Sequence, residues 1–297
     1  MSEQLIGQAH LNIGGKVLAA IDPSVYSESV AHYAAWAAHR LAAPLEYLHV
    51  LDRHPEHAES KDLSGSLTLG AQDALMKELA SLDESKSKLA QERGRLLLKH
   101  AQAIAKAFHG IHAETKLRHG ALVDALTEQE ADIRLFVLGK RGEHADIAKG
   151  HLGGQVERAV RAVHRPLLVV SRAYTEVSKI LVAFDGSPTT RKGIEMVAGS
   201  PLFRGMHVDV LTVGKESDAA SQDLEWALST LTRAGLDGRG LVVTGDPEEV
   251  ISRRVKEEAV DLLVMGAYGH SRIRQLIVGS TTTSVLRTCR IPVLLLR

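Results

Sequence analysis

The feature that most restricts how this chain can fold is that it repeats itself. Lys16-Val-Leu-Ala-Ala-Ile-Asp22 corresponds to Lys179-Ile-Leu-Val-Ala-Phe-Asp185, and Leu45-Glu-Tyr-Leu-His-Val50 to Val208-Asp-Val-Leu-Thr-Val213. Asp132–Gly139 corresponds to Val260–Gly266, and Arg165-Pro166-Leu-Leu-Val-Val170 to Ile291-Pro292-Val-Leu-Leu-Leu296. The interval from Asp22 to Val50 is 28 residues, and so is that from Asp185 to Val213. Landmarks in the same order at matching spacing make the chain two copies of one domain. The expected domains are 1–173 and 178–297, with the short polar segment Ala173–Ser178 between them.

Each copy alternates short apolar runs rich in Val, Ile and Leu with helical segments such as Ser29–Leu41 and Glu248–Glu258. Uninterrupted apolar runs of this length mark strands buried on both faces. Asp246-Pro247 supplies a helix cap followed by proline at the first helical position. Five strands alternating with four helices predict an α/β fold, a parallel sheet covered on both sides through right-handed crossovers. Ligands in such folds bind beyond the carboxyl ends of the strands, where the strand order reverses. Asp22, Asp185, Gly139 and Gly266 are all expected at strand C-termini.

One interval breaks the symmetry. Val50 to Gly120 spans 70 residues against 32 for Val213 to Gly245, so the first copy carries about 38 more, mostly between Asp52 and Arg93. Ala71–Leu82 and Ser85–Phe108 have helical spacing and strong helix formers. Arg53–Gly65 is polar and reads as a loop, and its His54 and His57 lack a third ligand, so no metal site is expected.

Charge and cysteine usage narrow the function classes. Formal net charge is zero, which points to neither nucleic acid nor an anionic membrane surface as a partner. No basic, apolar leader opens the sequence and no apolar run approaches the ~18–20 residues of a membrane span. The single cysteine, Cys289, is expected in the core ahead of Ile291-Pro292, and a chain with one cysteine suits the cytoplasm.

The chemistry is concentrated near the C-terminus. After the strand Asp261–Met265 come Gly266, Gly269 and Gly279-Ser280, then a hydroxyl-rich run including Thr281 that reads as a helix start. Glycines let backbone amides converge on an anion, and a helix N-terminus adds unpaired N–H groups and a positive dipole end. The implied ligand is a phosphate. In the first copy Gly139 and Gly142 are in place, but ten residues rather than nine precede Gly153-Gly154-Gln155, and no hydroxyl follows. Lys140, Arg141, Lys149 and His151 lie in that loop and could still attract an anion, but it reads as a degenerate site whose use is structural or regulatory.

These residues carry a resemblance. The Gly-x2-Gly-x9-Gly-Ser pattern of Gly266, Gly269, Gly279 and Ser280, with Asp185-Gly-Ser, Val213 and the ending Cys289-Arg-Ile-Pro-Val, is similar to the ATP-binding signature of universal stress proteins in tandem-domain form. The resemblance covers nearly the whole chain. It implies two Rossmann-like domains of the adenine nucleotide α-hydrolase-like kind, each with a five-stranded parallel sheet. It implies ATP, AMP or ADP as ligand, with Mg2+ carried by the phosphates, a homodimer, and a role in stress survival or signalling. Asp185 would then meet the adenine or ribose end, and Val213 would line the adenine pocket. Gly266 and Gly269 would hold the ribose and first phosphates, and Gly279, Ser280 and Thr281 the outer ones.

Two other functions compete. A slow ATPase or nucleotidyl transferase lacks support: no Gly-x4-Gly-Lys-Ser/Thr occurs, and His270, Arg272 and Arg274 form no evident base–nucleophile pair, so no catalytic residue is assigned. A scaffold with vestigial sites would use the extra helical segment to bind a protein partner. The apolar, proline-preceded final strands, Leu167–Val170 and Val293–Leu296, are expected to bring the domains face to face through their edge strands.

Overall fold

The computed structural model describes residues 12–51, 69–142, 153–267 and 280–297. The first half contains β1 (Lys16–Ala20), α1 (Ser27–Leu41), β2 (Leu45–Leu51), α2 (Leu69–His109), β3 (Glu114–His119), α3 (Leu122–Thr127), β4 (Ile133–Gly139), α4 (Gly154–Ala162) and β5 (Leu167–Val170). The second repeats the order with β6 (Lys179–Ala183), α5 (Pro188–Gly199), β7 (His207–Val213), α6 (Asp218–Arg233), β8 (Gly240–Val243), α7 (Pro247–Glu257), β9 (Leu262–Gly266), α8 (Ser280–Thr288) and β10 (Val293–Leu296). None of the described helices is long and apolar enough to cross a membrane.

The strands form one sheet in the order β3-β2-β1-β4-β5-β10-β9-β6-β7-β8. Each half is a parallel five-stranded unit whose order reverses beside its first strand. In the first half β1 lies between β2 and β4, and in the second β6 lies between β7 and β9. The final strands do meet, β5 pairing antiparallel with β10 through Val169 and Val293, Leu168 and Leu294, and Leu167 and Leu295. The halves therefore join edge to edge in a continuous sheet rather than face against face.

Helices cover both faces of the sheet. On one face α1, the C-terminal part of α2, α5 and α6 bury Ala34, Ala38, Leu98, Ala101, Ile194, Val197, Leu224 and Leu231. On the other, α3, α4, α7 and α8 bury Leu126, Val156, Val160, Ile251, Val255, Val285 and Leu286. Side chains alternate between these cores along the central strands, as the period of two requires: Leu168 and Leu294 lie in the first, Leu167, Val169, Val293 and Leu295 in the second. The same residues therefore complete both domains and the seam between them. Cys289 is buried and unpaired just past the end of α8.

The extra residues of the first half that are described, from Leu69 on, lie in a single helix. Where sequence spacing predicts two helical segments, α2 runs unbroken for 41 residues, about 60 Å at 1.5 Å per residue. It crosses close over the sheet at Gly94, where an added Cβ would lie 2.6 Å from the His49 ring. Its end docks on α1 through rings. His109 stacks on His39 with centroids 4.4 Å apart, and Phe108 meets His32 edge-on at 5.1 Å.

Ion pairs mark the opposite end of the strands from the predicted site. Lys16 meets buried Glu46 at 2.5 Å in the first half. In the second, fully buried Asp209 accepts from His207 at 2.8 Å and faces Lys179 at 3.5 Å.

Candidate functional site

Two of the sequence landmarks, Asp185 and Gly266, lie where β6 and β9 end side by side. Their register, Ile180 to Leu262 through Val182 to Val264, brings Asp185, two residues beyond β6, next to Gly266 at the end of β9. This is the point at which the strand order reverses, the location that parallel sheets offer to ligands. Val213, half-buried, ends β7 on the other flank of β6. Ser280 begins α8, and Thr281 is half-buried on its first turn.

Asp185 is held by the start of α5. Its Oδ1 accepts from the backbone N–H of Ser187 at 3.0 Å and from the Thr190 hydroxyl at 2.7 Å. Ser187 caps the helix, its Oγ accepting from Thr190 N at 3.3 Å, and Pro188 occupies the first turn. The carboxylate is thus presented at an exposed strand tip by the turn that launches the helix, and an anionic acceptor there suits a ligand's hydroxyl or amine donors.

A clamp that sequence spacing does not disclose braces this turn. Gly186 adopts φ +74°, and Asp223 of α6 lies directly against it, so that a Cβ there would stand 3.0 Å from Asp223 Cγ. Arg191 donates through Nε to the Gly186 carbonyl at 3.1 Å, pairs with the Asp223 carboxylate, and lies 4.5 Å over the Trp226 ring. Trp226 in turn lies nearly parallel to Phe184, the residue preceding Asp185. Thr282 is a second residue missed. Buried, it donates from Oγ1 to the Gly266 carbonyl at 3.2 Å and ties the first turn of α8 to the tip of β9. The hydroxyl-rich run was its only sequence signal.

Gly269 and Gly279 lie outside the described residues, as does the side chain of Ser280. So do His54, His57, Lys149, His151, His270, Arg272 and Arg274, together with the loop Arg53–Gly65.

In the first half the equivalent position is built differently. Asp22 keeps its place after β1 and accepts from the Ser24 hydroxyl at 2.5 Å. The side chain of Tyr26 lies over Gly139, its Cβ 2.7 Å from where a Gly139 Cβ would stand. The Gly153 N–H, an amide the motif would offer to phosphate, donates to the Lys140 carbonyl at 3.2 Å.

The expectation that Lys140 attracts an anion is overturned. Its side chain is buried in the seam between the halves, where Nζ donates to the Ile291 carbonyl at 3.1 Å and to the Cys289 carbonyl. Those carbonyls follow the end of α8, where a cation is favoured. Burial lowers the ammonium's pKa to about 8, with Arg141 adding to the effect and Cys289 opposing it.

Comparison with known proteins identifies this architecture. The model of the universal stress protein family matches twice, over residues 15–171 and 176–297. The chain belongs to the universal stress protein family. It is 37% identical over 284 residues to universal stress protein Slr1230 of Synechocystis, covering 95% of this chain and 99% of that one. Universal stress protein Rv2005c of Mycobacterium tuberculosis is 25% identical over 236 residues, 70% of this chain and 78% of the relative. Among solved structures, a universal stress protein from Archaeoglobus fulgidus superposes with TM-score 0.69 at 18% identity, covering 96% and 98% of the two chains. One from Pseudomonas aeruginosa reaches 0.61 at 16% identity, covering 96% and 94%. The shared fold is thus two tandem universal stress protein domains.

Proposed function

We propose that this universal stress protein binds an adenine nucleotide, ATP in particular, in its C-terminal domain alone. The observation that carries the reading is the difference between the two strand-tip sites. In the second half Asp185 is exposed beside Gly266, and α8 begins at Ser280 close behind. In the first, Tyr26 covers Gly139 and the Gly153 amide is bonded within the protein. The donor set of the second site fits a nucleotide. A carboxylate suits ribose or adenine donors, a glycine at the strand end lets backbone amides come close to a ligand, and a helix N-terminus favours phosphate.

On this reading Asp185 and Val213 contact the nucleoside. Gly266 and Gly269 line the path of the first phosphates, and Gly279, Ser280 and Thr281 take the outer ones, with Mg2+ arriving on the phosphates. The chain's own residues bind and orient; no group is assigned to hydrolysis. The protein then acts as a nucleotide-responsive element of the stress response. The unpaired, buried Cys289 suits the reducing cytoplasm proposed as its compartment.

Titration calorimetry on the full chain tests the reading. One ATP per chain is expected. Asp185→Ala or Gly279→Ala should weaken it at least about tenfold, or about 1.4 kcal/mol, and Asp22→Ala should leave it unchanged. Absence of binding at millimolar ATP, or equal weakening by Asp22→Ala, defeats it.

A further inference from the structure

Residues 76–90 of α2 have no counterpart in the second domain. Every side chain from 76 to 90 is exposed. Only beyond this does the helix dock, burying Gly94, Leu98, Ala101 and Ala105. Yet the exposed stretch is not uniformly polar. Leu82, Leu89 and Leu96 recur every seven residues, and Leu75 continues the interval in the sequence. Leu79 falls between them at the a position of the same heptad. With the leucines at d, the docked residues occupy positions b and f, on the far side of the helix. From Leu79 to Leu96 the leucine seam therefore faces away from the protein's own body.

Met76, Leu79, Leu82, Leu89 and Leu96 are 43% to 72% exposed. An apolar stripe of this length on a monomer marks an interaction site. An unsupported helical arm also has only intrinsic propensity to hold it, which is marginal in water. Sustained seven-residue spacing is the pattern of helices that pair with helices.

We propose that this seam binds the α2 seam of a second copy of the chain, as an antiparallel coiled coil that makes the protein a dimer. The charges favour this occupant and this direction. The remaining a positions of the seam hold Lys86 and Arg93, both exposed. A parallel, in-register pair would set Lys86 against Lys86 and Arg93 against Arg93. The antiparallel pair centred between Lys86 and Leu89 instead sets every a residue against a d residue. Leu79 meets Leu96, Leu82 meets Arg93, and Lys86 meets Leu89, the basic stems lying along leucine while their charged ends reach water. This register places Glu78 opposite Lys99 of the second copy, twice by symmetry, and both residues are exposed. The parallel alternative would place Glu78 near Asp83. Covering the five apolar side chains on both copies removes on the order of 1,000 Å2 from water, the lower end for a specific interface. A pair of this size is expected to be weak and reversible, in the micromolar range.

Sedimentation equilibrium of the full chain between about 1 and 100 μM, a range set around that micromolar strength, tests the proposal. A reversible dimer is expected. Leu82→Glu/Leu89→Glu should yield monomer at every concentration, and because both sites are exposed the fold should be retained in near-ultraviolet circular dichroism. Glu78→Lys should weaken the dimer several-fold, and Glu78→Lys/Lys99→Glu should restore it. The proposal is overturned by a wild-type monomer throughout, which would leave the seam to another segment or partner. A dimer indifferent to the leucine substitutions overturns it equally. Strengthening by Glu78→Lys would point to the parallel pair and overturn it as well.

Discussion

Gly186→Ala probes the turn on which the candidate nucleotide site depends. Gly186 sits at φ +74°, a conformation that costs an L-residue about 1 kcal/mol. The new methyl would also stand 3.0 Å from Asp223 Cγ and closer still to its Oδ2. The carboxylate would have to retreat, giving up its pairing with Arg191. That pair is about one-third exposed on each side, so screening limits its worth to roughly 0.5–1 kcal/mol. The single substitution should therefore destabilise the protein by about 2 kcal/mol, the strain and lost pair combined.

A double-mutant cycle separates these two parts. Asp223→Ala alone should cost roughly 0.5–1 kcal/mol, because Arg191 keeps its bond to the Gly186 carbonyl and its place over Trp226. In Gly186→Ala/Asp223→Ala the methyl has room and the pair is already absent, so only the backbone strain is added. The double variant should then fall short of additivity by roughly 0.5–1 kcal/mol, a coupling that only neighbouring groups produce. Urea unfolding monitored by tryptophan fluorescence, from Trp36 and Trp226, gives all four free energies. Strict additivity would refute the steric reasoning, and a neutral Gly186→Ala would refute the left-handed turn itself.

Two further predictions concern pH. Burial lowers the His32 pKa against the opposing pull of Glu28, and burial, then His39 and His32, lower that of His109. The unfolded chain binds protons below pH 6.5 that these folded imidazoles resist, so stability is fully present above that pH and falls as pH drops through it. His32→Phe/His109→Phe should flatten the slope of urea-unfolding free energy between pH 7 and 5, and an unchanged slope would refute the assignment. For Lys140, lowered to about 8 from 10.5, the unfolded chain holds a proton that the folded one releases between those values. Stability should rise across that window by about 3 kcal/mol through this group. Lys140→Met should remove the rise, measured as unfolding free energy at pH 7.5 and 10.

What was legible in the sequence is what short-range pattern controls. The repeat exposed the βα alternation because strands buried on both faces leave uninterrupted apolar runs, as in Leu135–Leu138 and Leu262–Met265. The pairing of β5 with β10 was legible because final strands that are apolar on both faces need a neighbour on their open edge. The unity of α2 was less so. The polar stretch Asp83-Glu84-Ser85 suggests an interruption, but no proline or glycine there enforces one, and the helix continues. The Arg191–Asp223–Trp226 clamp left no trace, since its members are 32 and 35 residues apart on helices that meet only in the folded molecule. Lys140 misled for a similar reason: a basic loop at a strand tip looks like an anion site, and the carbonyls that claim it lie about 150 residues away.

The position of Lys140 ties the loop after β4 to the joining of the two domains. Near-twofold symmetry relates the halves about the β5–β10 pair, and it matches Lys140 with Ala267 and Ser171 with Arg297. Each half nevertheless caps a helix end of the other. Lys140 takes the carbonyls of Cys289 and Ile291 past α8, while Arg297 takes those of Arg161 and Val163 at the end of α4, both at 3.0 Å. The cations come from non-equivalent positions. On the second side Ala267 and Arg297 line a small cleft with Val160, Val163 and Leu295. The loop after β4 thus supplies the seam's cation, and Lys140 could serve a phosphate only by abandoning one buried and one part-buried carbonyl, the buried one at about 1–3 kcal/mol. The loop after β9 begins with a residue under no such constraint. The loop that supplies the seam's cation is the one whose strand-end glycine, Gly139, lies under Tyr26.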